Sequence, residues 1–207
     1  MLTILAPAYY SDWSKVKYLK ESAEHYSIPV HWYGFGKPYT GWYNIQIIDL
    51  LEELKSINTE YVLYTDASDA MFNTNIYEPQ IAPNEAWIIM SQEHDNGLCA
   101  GGWFGPREYA IEVLEFLRDF IPIGTSDIMN PQERWREASK QNLITVFPDY
   151  TRAFFQVMDE PIEIRDGALY NARTGTFPSI AHWAGGYTAL DVGKAALIDP
   201  YWEQLGF

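Results

Sequence analysis

The chain has 207 residues, 47% of them hydrophobic and 16% aromatic, and its 14 basic against 28 acidic residues give a formal net charge of −14. That length suits one α/β domain, and the acidity repels phosphate backbones, which argues against general nucleic-acid binding. A single cysteine, Cys99, excludes an internal disulfide and any paired-cysteine zinc or redox site.

No apolar run approaches the roughly 20 residues that a membrane span needs. The opening MLTILAPAYYS has no basic segment and too short an apolar run for a secretion signal, so a cytoplasmic location is expected. Residues 2–6 read instead as a first strand, ended by Pro7. Residues 11–26 have helical spacing, with Trp13, Val16, Leu19 and Ala23 apolar and Ser11 or Asp12 as cap. A strand over 29–33, a loop over 34–38 and a helix over 44–57 follow. Residues 60–64 are apolar on both faces, as a central parallel strand is.

A further strand is expected over 86–91, then a Gly-rich stretch over 98–105 and helices over 107–120 and 132–142. Short strand-like pieces follow at 144–147, 162–165, 168–171 and 179–182. Strands and helices alternate in the first half, which predicts a mostly parallel sheet with helices on both faces.

Ligands bind such sheets beyond the carboxyl ends of the strands. The segment YVLYTDASDAMF places Asp66 and Asp69 there. Two close carboxylates repel unless a proton or cation lies between them, and a hard divalent ion with oxygen ligands answers that need. The alternative is that both aspartates form a turn or cap a helix. His182, at the end of an apolar stretch and before Gly185-Gly186, has the chemistry to join the same metal. His25, His31 and His94 read as surface or packing residues. There is no Walker P-loop and no GxSxG elbow, and Gly34-Phe35-Gly36 is too sparse for a dinucleotide fingerprint.

Five ordered blocks carry a resemblance. GWYNIQIIDLLEELKSINTEYVLYTDASDAMF, MSQEHDN, LCAGGWFG, FPDYTRAFFQV and PSIAHWAGG together resemble the glycosyltransferase domain of the procollagen lysyl hydroxylase family. The resemblance implies an α/β GT-A glycosyltransferase fold, a single Rossmann-like domain with a mostly parallel central sheet. Residues 1–95 would form its nucleotide-binding half, and residues 96–207 the acceptor-side half with the metal-binding histidine. It implies Mn²⁺ or Mg²⁺ on Asp66, Asp69 and His182. It also implies a UDP-sugar donor against Ala6, Pro7, Ala8, Trp42, Asp66, Ser68, Gly101, Gly102, Gly185 and Gly186.

The activity implied is transfer of a hexose to an acceptor hydroxyl on a glycan, protein or small molecule, with Glu93, Asp95 and Asp127 as catalytic acids or bases. Trp103 reads as a sugar platform or as a lid over the core, and Gln156 as structural. The chain departs from the family pattern at several places. Ser68 stands where the family has an aromatic, Cys99-Ala100 where it has Asn-Ser, and Trp183-Ala184 where it has Gly-Asn. Asn130-Pro131-Gln132 aligns with an Asp-Asp-Gln block. A non-catalytic sugar-nucleotide binder, or a metal-dependent hydrolase or nucleotidyltransferase, are the other readings.

Overall fold

The computed structural model describes residues 1–76, 84–92, 97–122, 130–158, 162–183 and 191–207. In chain order its elements begin with β1 (Leu2–Tyr10), α1 (Lys17–His25), β2 (Val30–Phe35), α2 (Leu50–Ser56), β3 (Tyr61–Thr65) and β4 (Ala70–Phe72). Then come β5 (Ile88–Gln92), β6 (Leu98–Pro106), α3 (Arg107–Asp119), α4 (Pro131–Lys140) and β7 (Val146–Pro148). Last are β8 (Phe155–Val157), β9 (Glu163–Arg165), β10 (Ala168–Tyr170), β11 (Ile180–His182) and α5 (Asp191–Gln204).

Six strands form the main sheet in the order β2-β1-β3-β6-β5-β7. β1 runs parallel to β2 and β3, and β5 runs parallel to β7. β6 alone is antiparallel, to β3 and to β5. A second sheet has the order β4-β11-β8, and β9 pairs with β10. The two halves read from the sequence share the main sheet, because β6 lies between β3 and β5.

Side chains alternate across a strand, so β1 feeds two cores. Leu5 packs with Val62, Tyr64 and Trp103 against Leu50, Leu54, Val113, Leu114, Leu117 and Trp135 of α2, α3 and α4. Ile4, Ala6 and Ala8 face the other way, with Leu63 and Phe104. That face is covered by Leu19 and Ala23 of α1 and by Phe72, Phe155 and Ile180 of the second sheet. A third cluster joins Met71, Leu169, Ala181 and Trp183 to Ile198 and Trp202 of α5. No helix among the described residues is long and apolar enough to cross a membrane.

Several boundaries differ from the sequence reading. β1 continues through Pro7 to Tyr10. β3 accompanies β1 only as far as Leu5, so Pro7 lies where β1 has one neighbour and a missing N–H is tolerated. The Gly-rich stretch 98–105 lies within the nine-residue strand β6, buried along its whole length. Asp12 caps a short 3₁₀ turn (Trp13–Val16), accepting from Ser14 N at 2.9 Å, before α1 begins. The helix expected over 44–57 opens as a π-helical turn (Asn44–Asp49) before α2. β4, β8 and α5 had no counterpart in the sequence reading, and α5 contains Gly193 and Pro200, both poor helix formers.

Candidate metal centre and adjoining cleft

Two sheets deliver the centre. β3 ends at Thr65, and Asp66 N donates to the Gly101 carbonyl at 2.7 Å. Three residues later Asp69 leads into β4, where Ala70 is the register partner of His182 in β11. Trp183 N donates to the Asp69 carbonyl at 2.8 Å, which closes the ladder around both residues. A strand follows Asp69, so neither aspartate caps a helix.

His182 Nε2 lies 3.5 Å from Asp69 Oδ1 and 3.9 Å from Asp66 Oδ2. One ligand atom from each of Asp66, Asp69 and His182 falls within 4.8 Å of the others. All three side chains are buried, with exposures of 5%, 6% and 2%. Two ionised carboxylates that close repel by on the order of 4 kcal/mol at an effective dielectric constant near 20. Burial, and then the Asp69 charge, push the Asp66 carboxyl above its ordinary value, with His182, Tyr64 and Gln46 acting against the rise. Burial disfavours a charge on the His182 ring, but Cys99 and Asp69 outweigh it and lift the imidazole well above its ordinary value.

These residues fit a divalent cation. Two carboxylates and an imidazole are oxygen and nitrogen donors suited to Mn²⁺, Mg²⁺ or a related ion. The surroundings are shaped for them. A Cβ built on Gly101 would overlap His182 Cε1 and stand 2.6 Å from Asp66 Oδ2, so only glycine fits beside these two side chains. On the other side of the ring, Cys99 Sγ lies 3.8 Å from His182 Nδ1.

A cleft of ≈ 120 Å³ adjoins the centre, lined by Pro7, Tyr9, Lys15, Val16, Tyr39, Trp42, Ile45, Ala67 and Ser68. Ala67 and Ser68 are the two residues between Asp66 and Asp69, so centre and cleft share one turn. The structure thereby brings Pro7, Trp42 and Ser68 to one cleft, beside the turn that begins at Asp66. Tyr39 meets the Trp42 ring edge-on at 5.8 Å. The Tyr9 hydroxyl donates to Asp49, and burial followed by that bond pushes its phenol far up.

Other sequence candidates fall elsewhere. Ala6 and Ala8 pack into the core on the α1 side. A Cβ on Gly102 would meet Phe155 Cδ1 at 2.7 Å, so this glycine admits the second sheet against β6. Trp103 is buried, stacked on Tyr64 at 5.7 Å, and it is therefore core and offers no face to a sugar. Gln156 is buried and accepts from Asn171 Nδ2 at 2.7 Å, a structural role. Glu93, His94, Asp95, Asp127, Gly185 and Gly186 lie outside the described residues.

The sequence reading missed Gln46 and Tyr64. Gln46 Nε2 donates to Asp66 Oδ1 at 2.9 Å, and the Tyr64 hydroxyl donates to the same oxygen at 2.6 Å. A signal existed for both. Gln46 is a lone amide in the apolar run Ile45–Ile48, and Tyr64 stands two residues before Asp66 on the same strand. Tyr9, Lys15, Tyr39 and Ile45 were also missed as cleft walls.

The mixed α/β sheet, mostly parallel, is that of a GT-A-like glycosyltransferase fold. No protein-family model matches the chain, and no curated protein matches it either. Among solved structures it is similar to a glycosyltransferase involved in the glycosylation of the major capsid of PBCV-1. The TM-score is 0.65 at 15% identity, over 96% of this chain and 98% of that one. At that identity the likeness establishes the fold.

Proposed function

We propose that the chain is a metal-dependent glycosyltransferase. It moves a hexose from a UDP-sugar, UDP-glucose or UDP-galactose, to an acceptor hydroxyl on a glycan, protein or small molecule. The observation that carries this reading is the Asp66, Asp69 and His182 cluster sharing a turn with an aromatic-lined cleft. Mn²⁺ or Mg²⁺ would be held by one oxygen of each aspartate and by His182 Nε2, and would supply positive charge for a departing diphosphate. Trp42 and Tyr39 offer aromatic surface to the base, with Pro7 and Ile45 as further walls, and Lys15 brings an ammonium to the same cleft. The resemblance to the procollagen lysyl hydroxylase glycosyltransferase domain supports pairing a UDP-sugar with Mn²⁺. It also supports Gly101, Gly185 and Gly186 as donor-side glycines and Glu93, Asp95 or Asp127 as the general base. A single cysteine suits a reducing compartment, and we place the enzyme in the cytoplasm.

One observation favours a second reading, donor binding without transfer. Where the family has two acids, Asn130 caps α4, accepting from Gln132 N at 3.0 Å, and Pro131 fills the first helical position. That position is spent on helix geometry.

One panel separates the readings. Melting temperature and UDP release are measured with UDP-glucose, UDP-galactose, their N-acetyl forms, UDP and ATP, each with Mn²⁺, Mg²⁺ or EDTA. A metal-dependent shift with one UDP-sugar and slow UDP release is the expected result. A shift without release supports the binder. No shift with any uridine nucleotide overturns both.

A further inference from the structure

Asp66 presents its two oxygens unequally. Oδ1 accepts from Gln46 Nε2 at 2.9 Å and from the Tyr64 hydroxyl at 2.6 Å. A carboxylate oxygen has about two lone-pair sites, so two donors saturate it. Oδ2 is the oxygen on the histidine side, 3.9 Å from His182 Nε2 and facing Gly101.

Both donors are held in place. Tyr64 is fully buried on β3 and stacks on Trp103 with an interplanar angle of 24°. Gln46 is buried in the π-helical turn, and the neighbouring Ile45 carbonyl accepts from the Tyr33 hydroxyl at 3.0 Å. π-helical turns within helices often mark functional positions, and here the turn aims an amide at a carboxylate 20 residues away.

From this geometry we infer that Gln46 and Tyr64 are positioning residues that make Asp66 a one-oxygen ligand, and so set which cation the centre takes. The inference rests on the metal reading above. Ca²⁺ collects six to eight oxygens and commonly takes both oxygens of a carboxylate, whereas small octahedral ions take single oxygens. An imidazole ligand further favours a transition ion. With Oδ1 withheld and His182 present, the centre selects Mn²⁺ over Ca²⁺. Residues that orient a metal ligand from behind typically matter by about 10–100-fold in metal affinity.

The test is calorimetric titration of the metal-free protein with MnCl₂ and with CaCl₂, for the wild type, Gln46→Met and Tyr64→Phe. Each substitution removes polar atoms at nearly constant volume, and either variant alone suffices if the other does not fold. Melting of the metal-free variants checks the fold. The expected result is a Mn²⁺ affinity lower by about 10–100-fold, with Ca²⁺ affinity held or raised. The Mn²⁺/Ca²⁺ ratio then falls by about tenfold or more. A wild type that binds Mn²⁺, with folded variants that keep its Mn²⁺/Ca²⁺ ratio, overturns the inference and leaves the metal reading standing. A wild type that binds neither ion overturns the metal reading, and the inference with it.

Discussion

Gly101→Ala tests how the centre is built. The new Cβ would overlap His182 Cε1 and lie 2.6 Å from Asp66 Oδ2 and 3.0 Å from His182 Nε2. Non-bonded carbons rest about 3.5–4.0 Å apart, so something must move by about an ångström. His182 and Asp66 are buried and cannot swing into water. β6 is held here from the β3 side, where Gly102 pairs with Thr65 and the Gly101 carbonyl accepts from Asp66 N, while its register with β5 is interrupted between Cys99 and Trp103. Overpacking of this kind costs roughly 1–3 kcal/mol. In a chain of this size that lowers the melting temperature by about 2–4 °C per kcal/mol. Displaced ligands should also cost more than about tenfold in Mn²⁺ affinity. Gly102→Ala is the control, since its Cβ meets Phe155 at 2.7 Å instead of a ligand. It should melt early but keep its Mn²⁺ affinity. Circular-dichroism melts in EDTA, with a Mn²⁺ titration of each variant, read both effects. Wild-type Mn²⁺ affinity in folded Gly101→Ala, or an equal loss in Gly102→Ala, would refute the reasoning.

Asp66→Asn and Asp69→Asn should each remove the Mn²⁺-induced rise in melting temperature while leaving a folded protein; a persistent rise in both would return the aspartates to a purely structural role. Trp42→Ala should weaken UDP binding by 1–3 kcal/mol, the usual worth of a base on an aromatic ring, or roughly 5–150-fold, with Mn²⁺ affinity unchanged. Unchanged UDP affinity would remove Trp42 from the nucleotide cleft. Stability of the metal-free protein should fall as pH rises. Asp66, raised by burial and by Asp69, keeps in the folded state a proton that the unfolded chain releases. His182, raised above its ordinary 6.5, contributes stability that is complete below that value and is lost as pH climbs through its folded value. Metal binding needs both groups deprotonated, so the Mn²⁺-induced gain in melting temperature should grow as pH rises above the ordinary histidine value of 6.5. A gain independent of pH would contradict the burial and charge argument.

The legible part of the centre was local. Residues 60–64 are apolar on both faces and run straight into Asp66, which announces a central strand with carboxylates at its ligand-binding end. His182 was legible from its place between an apolar strand and a glycine pair. β6 was not, because glycine is a poor strand former, and the demand for it comes from residues far along the chain. His182 presses on Gly101, and Phe155 on Gly102. Neither approach leaves a mark within residues 98–105. Trp103 had two readings for the same reason, and only its stacking on Tyr64 and its tilted contact with Trp135 decide for the core. Gln46 illustrates the limit from the other direction. Its isolation in an apolar run marks it as unusual, but its partner is known only once the π-helical turn sets the direction of its amide.

The centre is also a junction between sheets, and this explains how two buried carboxyl groups are held close together. Asp66 closes β3, which β1 and β6 hold from both sides. His182 closes β11, which β4 and β8 hold likewise. The turn from Asp66 to Asp69 connects the two frames covalently at this point. What keeps them in register is the apolar layer between them, with Phe72, Phe155 and Ile180 of the second sheet against Leu63 and Phe104 of the first. That layer is apolar and buried, and packed interiors deform little, so it resists the outward movement that would relieve repulsion between Asp66 and Asp69. The geometry of Asp66, Asp69 and His182 is thus set by packing at a distance from those three side chains. The fold bears the cost of charges that a bound cation would neutralise, and the departure of metal-free stability from neutral-site behaviour measures that cost directly.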